Sequence, residues 1–168
     1  MWFRGRIPKA AFCMWLAIRE RLGTQDRLYS YDPNNKCLFC RNFLEDHNHL
    51  FFKCRVTSQL WRFLQGLGGF QVPELDWSNL INWLVREWRE ENFKTISWKL
   101  CIASLIYNIW WERNYRFHNS RENTADQILA ATVRMIQSRL AALKGVQDTE
   151  DNRTLQVHWN LPDTIFCK

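Results

Sequence analysis

Three cysteines and two histidines fall within the eighteen positions from Cys37 to Cys54 of this 168-residue chain. Elsewhere there are only Cys13, Cys101, Cys167, His118 and His158. A Cys-x-x-Cys pair, here Cys37 and Cys40, puts two sulfurs on one tight turn, about a metal ion's width apart, where backbone N–H groups can point at them. A third thiolate and an imidazole complete a tetrahedron, the closed geometry of structural zinc sites. Cys37, Cys40 and Cys54 supply the sulfurs; either His47 or His49 supplies the nitrogen. With four protein ligands no position is left for water, so the expected cofactor is a structural Zn2+ that activates nothing. A Cys37–Cys40 disulfide would leave Cys54 odd and would need an oxidising compartment. A thioredoxin-like pair would follow a strand and open a helix, whereas Asp32-Pro33-Asn34-Asn35 ahead of this pair is loop chemistry. On a continuous α-helix His49 and Cys54 would point about 140° apart. The chain is therefore expected to break between them.

Glycine (6) and proline (4) are scarce, which argues for helices rather than a turn-rich β fold. Ten Trp and eleven Phe suggest that those helices pack through large rings. Pro8 suits the first position of a helix. Phe12, Trp15 and Leu16 define its expected core face, and Gly23 its end. Thr24 caps a short helix over 25–29. Val56, Leu60, Trp61 and Leu64 mark a helix after Cys54 that stops at Gly66. Asp76 or Ser78 caps the next, carrying Leu80, Ile81, Leu84 and Trp88. A long buried amphipathic helix runs over about 93–118, and a last one opens near Asn123-Thr124 and runs to about Lys144, closed by Gly145. Residues 146–168 lack periodicity and read as a linker or truncated segment. The expected fold is mainly α: a small zinc-stabilised helical module over 1–66, then a helical hairpin or bundle over 74–145.

The net charge of +6 is unevenly placed. Residues 1–66 carry eleven basic and five acidic side chains, whereas 67–168 carry twelve of each. The whole excess surrounds the candidate metal site, as phosphate binding requires. Lys9, Lys36, Arg41, Lys53 and Arg55 are the candidate phosphate contacts. Phe39, between the first two ligands, either stacks on an exposed base or packs against the metal loop. No signal peptide is visible, since Met1-Trp2-Phe3-Arg4-Gly5-Arg6 leads into Pro8-Lys9. The run from Thr95 to Trp111 carries Lys99 and Asn108 and is short for a membrane span. Nucleus or cytoplasm is the expected location, with reduced thiols and no membrane partner.

Ile7-Pro8-Lys9, Phe12, Trp15, Arg21-Leu22-Gly23-Thr24, Asp26-Arg27-Leu28, Cys37-x-x-Cys40, Glu45, His49-Leu50-Phe51-Phe52-x-Cys54 and Trp61 together resemble a known family. It is the zinc-binding domain that follows the reverse transcriptase in plant non-LTR (LINE-type) retrotransposons, over roughly residues 2–66. Ile109-Trp110-Trp111-Glu112-Arg113-Asn114-x-Arg116-Phe117 is similar to a helix often found after that domain. The resemblance implies Cys37, Cys40, His49 and Cys54 as ligands and Cys13 as a core residue. It also implies RNA or DNA as partner, and reverse transcriptase or ribonuclease H domains of a parent polyprotein as neighbours. The polymerase's paired aspartates and a ribonuclease H carboxylate set are missing, so the chain is expected to be non-catalytic and to represent the middle of that polyprotein. Two functions compete: a nucleic-acid-binding module, and a protein-interaction module whose surplus tryptophans, from Trp77 to Trp111, form an exposed patch.

Overall fold

The computed structural model describes residues 3–27, 35–72, 76–119 and 121–167. Six α-helices follow in order: α1 (Pro8–Ile18), α2 (Arg55–Gly68), α3 (Trp77–Glu87), α4 (Phe93–Asn119), α5 (Ala125–Ala141) and α6 (Glu150–His158). Among the described residues β-pairing is limited to two isolated bridges, Lys36 with Leu44 and Val146 with Phe166. The mainly helical expectation holds. The Asp32-Pro33-Asn34 loop and the end of the expected 25–29 helix lie outside the described residues; Gln25–Arg27 forms a 3-10 turn.

Helix α4 is the axis of the molecule. It packs against α1, α2, α5 and α6. From Thr95 to Ile106 every residue but Trp98 is buried, including Ser97, Lys99 and Ser104. The segment is a buried helix, as expected, but it is enclosed on several sides and so shows no single apolar stripe. One hydrophobic core runs from Phe3 through the metal loop to Phe166. The helices after residue 74 thus share their interior with the N-terminal module.

The core face of α1 also differs from expectation. Ala10, Cys13, Met14 and Ala17 form the buried stripe, while Phe12 and Trp15 stay exposed at 57% and 36%. Both stripes have helical spacing, but small side chains let the α1 backbone approach α4 closely. Phe12 and Trp15 stack on each other outside, ring centroids 5.9 Å apart. The helix ends at Ile18, not at Gly23, and Glu20 takes the left-handed turn at φ 50°.

Local chemistry sets the other boundaries. Helix α2 runs past Gly66 to Gly68, and Gly69 closes it with φ 63°. At that position a left-handed conformation costs glycine little. Asp76 caps α3 by accepting from Asn79 N. Thr124 and Gln127 form a reciprocal capping box on α5. The expected C-terminal linker is instead partly helical: Thr149 caps α6. Trp159 and Ile165 are fully buried, and Gln137 Nε2 donates to Trp159 O at 3.1 Å.

Candidate metal centre

The residues from Asn35 to Glu45 fold back on themselves. Cys37 N donates to Phe43 O and Glu45 N to Asn35 O, each at 2.8 Å. Arg41 N closes the turn on Cys37 O at 2.8 Å, and Arg41 itself is left-handed at φ 58°. This knuckle brings Cys37 and Cys40 to one side. The N–H groups of Phe39 and Cys40 point at the Cys37 sulfur.

The break expected between His49 and Cys54 takes the form of a π-helical turn, His49–Lys53. Cys54 N donates to His49 O at 2.8 Å, an i to i+5 bond that widens the turn. Cys54 itself is extended (φ −65°, ψ 131°) and stands at the N-cap of α2. Its sulfur receives the N–H groups of Val56 and Thr57. Asp46 Oδ1 accepts from His49 N at 2.7 Å and fixes the start of the turn. Trp61 Nε1 donates to Phe51 O at 2.6 Å and ties the turn down onto α2.

The sulfurs of Cys37, Cys40 and Cys54 and a ring nitrogen of His49 all lie within 4.8 Å of one another, and all four residues are buried. Cys40 Sγ is 3.2 Å from His49 Nε2. Ligands about 2.3 Å from a tetrahedral zinc sit roughly 3.7 Å apart, within the span of this cluster, so small adjustments about an ion would complete the site. The donor set, three thiolates and one imidazole, is that of structural zinc. Hydrogen bonds from Cys37 and from the start of α2 lower the Cys54 thiol to about 5, whereas that same contact and burial raise Cys37. Burial alone lifts Cys13 to about 12, and it also raises Cys101. These two thiols are core residues.

His47 is turned elsewhere. Its Nδ1 is 3.2 Å from Thr24 Oγ1, its ring packs against Phe51 and Trp77, and burial lowers its pKa.

The knuckle is held by side chains to which the sequence reading gave no structural role. Glu45 is fully buried, and its Oε1 accepts from Arg113 Nε of α4 at 2.9 Å and from Gln25 N at 3.1 Å. Arg116, four-point bonded, donates to Leu38 O at 3.1 Å, Asn123 O at 2.8 Å, Glu112 at 2.7 Å and Glu122 at 2.9 Å. Its guanidinium also covers the Phe39 ring at 4.4 Å. Phe39 is 7% exposed, so the base-stacking role considered for it is corrected: it packs between the knuckle and α4. Of the candidate phosphate contacts, Lys9, Lys36, Arg41, Lys53 and Arg55 are all exposed. Arg41 pairs with Glu122 at 3.0 Å, and Lys9 Nζ stands 4.9 Å over the Tyr107 ring. The expected tryptophan patch does not form. Trp77 and Trp83 are buried, Trp88, Trp98 and Trp110 are half-buried, and Trp111 is exposed.

Residues 1–61 match the family described as zinc-binding in reverse transcriptase. The match takes in α1, the knuckle and the π-helical turn, and ends inside α2. The matched residues include all four of the clustered side chains. No curated protein and no solved structure matches the chain. No helix among the described residues is long and apolar enough to cross a membrane.

Proposed function

We propose that this chain is a non-catalytic module, built on a structural Zn2+, that binds RNA or DNA through phosphate contacts and descends from the polyprotein of a plant non-LTR (LINE-type) retrotransposon. The observation that carries the reading is the charge excess of residues 1–66, whose cations Lys36, Arg41, Lys53 and Arg55 are exposed beside a buried Cys3His cluster. Zinc supplies rigidity here: it fixes the knuckle and the π-helical turn to each other and so fixes where the cations stand. Nucleus and cytoplasm are the compartments that keep such thiolates reduced.

A second reading, a protein-interaction module without nucleic-acid affinity, draws on the exposed Phe12–Trp15 pair of α1. Fluorescence anisotropy with single-stranded RNA and duplex DNA over a salt series separates the two. Each phosphate neutralised contributes about −0.7 (single strand) to −0.9 (duplex) to the slope of log K against log salt. Engagement of the five candidate cations gives a slope of roughly −3 to −5. Cys54→Ser should lose bound zinc and this binding together, because structural zinc contributes about 10–16 kcal/mol to small zinc folds. Absence of binding at low salt, or binding indifferent to salt, refutes the nucleic-acid reading and leaves the interaction module. A Cys54→Ser protein with unchanged zinc content and circular dichroism refutes the metal site.

A further inference from the structure

Helices α1, α4 and α5 border an open cleft of about 450 Å³ that the metal module does not use. Lys9 lines it from α1, Asn108 and Trp111 from α4, and Gln127 and Arg134 from α5. Its volume is that of a small-molecule site. Three features give it a character. Trp111 is 47% exposed, yet it is held flat by a parallel stack on Tyr115, centroids 5.1 Å apart and planes 10° from parallel. Lys9 and Arg134, from two different helices, make no ion pair among the described residues. The carboxylate that reaches the cleft, Glu112, is already engaged by Arg116 at 2.7 Å, by Asn123 N at 2.8 Å and by Asn123 Nδ2 at 2.6 Å. Asn108 Nδ2 donates to Ser104 O and Gln127 Oε1 accepts from Thr124 N. One acceptor, Asn108 Oδ1, and one donor, Gln127 Nε2, are left for a planar polar edge.

We propose that this cleft takes one unpaired nucleotide of a single-stranded nucleic acid. The base lies on the face of Trp111 that Tyr115 does not cover, with Asn108 and Gln127 at its edge, and the adjoining phosphates meet Lys9 and Arg134. Aromatic faces beside cations are how unpaired strands are held with little sequence preference. The inference rests on the nucleic-acid reading above and extends it by placing a base-stacking site away from the zinc knuckle.

The test uses the full, zinc-loaded chain and a labelled single-stranded RNA of about twelve nucleotides, within the usual range for one such site. Trp111→Ala should weaken binding about 5- to 150-fold, the loss of one stacked base, while Trp111→Phe recovers part of it. Arg134→Gln should reduce the salt slope by about 0.7, one phosphate. A duplex of the same length should be insensitive to Trp111→Ala, and adenosine monophosphate should compete only at much higher concentration than the strand. Zinc content and circular dichroism of each variant check the fold; Trp111 is exposed enough for Trp111→Gln, which also lacks a ring, to serve if Trp111→Ala is lost. The cleft assignment is overturned if strand binding falls with Lys53→Ala and Arg55→Ala but not with the Trp111 and Arg134 variants, an outcome that leaves the nucleic-acid reading intact. It is overturned together with that reading if the wild-type chain binds no nucleic acid at low salt.

Discussion

Removing the Arg113 side chain tests how the knuckle is held. Arg113 and Glu45 are 2% and 0% exposed and meet at 2.9 Å. Arg113→Met keeps an apolar stem of similar length but gives up the guanidinium's place over the rings of Trp110 and Phe117, 5.3 and 5.1 Å away. The Glu45 carboxylate is left buried with only the N–H groups of Gln25 at 3.1 Å and Leu38 at 3.4 Å. Breaking a buried pair from one side costs about 3–5 kcal/mol, a large part of the ~5–15 kcal/mol that holds a typical domain together. At about 2–4 °C per kcal/mol for a chain of this size, Tm should fall by roughly 6–20 °C. Glu45→Gln combined with Arg113→Met removes the stranded charge, so the double variant should cost less than the two single changes added, by ~0.5–3 kcal/mol. Glu45 also accepts from Leu38 N inside the Cys37–Cys40 turn, so zinc affinity in a chelator competition should drop about tenfold in Arg113→Met, the lower end for residues that orient ligands. Urea unfolding followed by circular dichroism with zinc in excess gives the stabilities. An Arg113→Met protein within about 1 kcal/mol of wild type, or strictly additive single changes, would show that the pair contributes nothing to holding the knuckle.

The face of α1 gives a second test. Met14→Ala should cost ~2–5 kcal/mol, because Met14 is 1% exposed, whereas Trp15→Ala should cost under about 1 kcal/mol; thermal melts in the reverse order would restore the face expected from the aromatic residues. The third concerns Lys99, 4% exposed and resting against the rings of Phe3 and Trp88. Burial lowers its pKa below the usual 10.5, with Glu91 opposing weakly. The unfolded chain thus holds the proton more tightly than the folded one, so wild-type stability rises as pH climbs from the folded pKa towards 10.5. Lys99→Met should therefore be more stable than wild type at pH 7, and the gap should narrow in melts at pH 9 and 10. A variant less stable than wild type at pH 7 would mean that the cation–π contacts outweigh desolvation.

The metal cluster was legible because its information is local. Cys37, Cys40 and Cys54 declare themselves by spacing, and the angular mismatch between His49 and Cys54 demanded the break that the π-helical turn provides. The cap of α3 was narrowed to Asp76 or Ser78 for the same reason, and the structure takes Asp76. The α1 face was not: 12-15-16 and 10-13-14-17 are equally helical, and the choice was made by α4, eighty residues away, which accepts small side chains at its surface. Helix α6 could have been found from Thr149 followed by Glu150 and Asp151, a cap with acids in the first turn, but its one buried residue, Leu155, gave no stripe. The pairing of Glu45 with Arg113 has no local signature at all.

That pairing gives a physical reason for the two sequence segments to occur together. The knuckle is a short loop that cannot bury its own polar groups: Glu45 is sunk without a cation of its own, Leu38 O needs a donor, and Phe39 has a ring face to cover. The Glu112-Arg113-Asn114-x-Arg116 stretch of α4 answers each of these. Arg113 meets the carboxylate, Arg116 meets the carbonyl and the ring, and Glu112 fixes Arg116 in the posture that does so. A metal on the Cys3His cluster would close the knuckle from one side, and the α4 guanidiniums close it from the other. A boundary at residue 66 accordingly divides the sequence pattern without dividing the structure that gives the pattern its use.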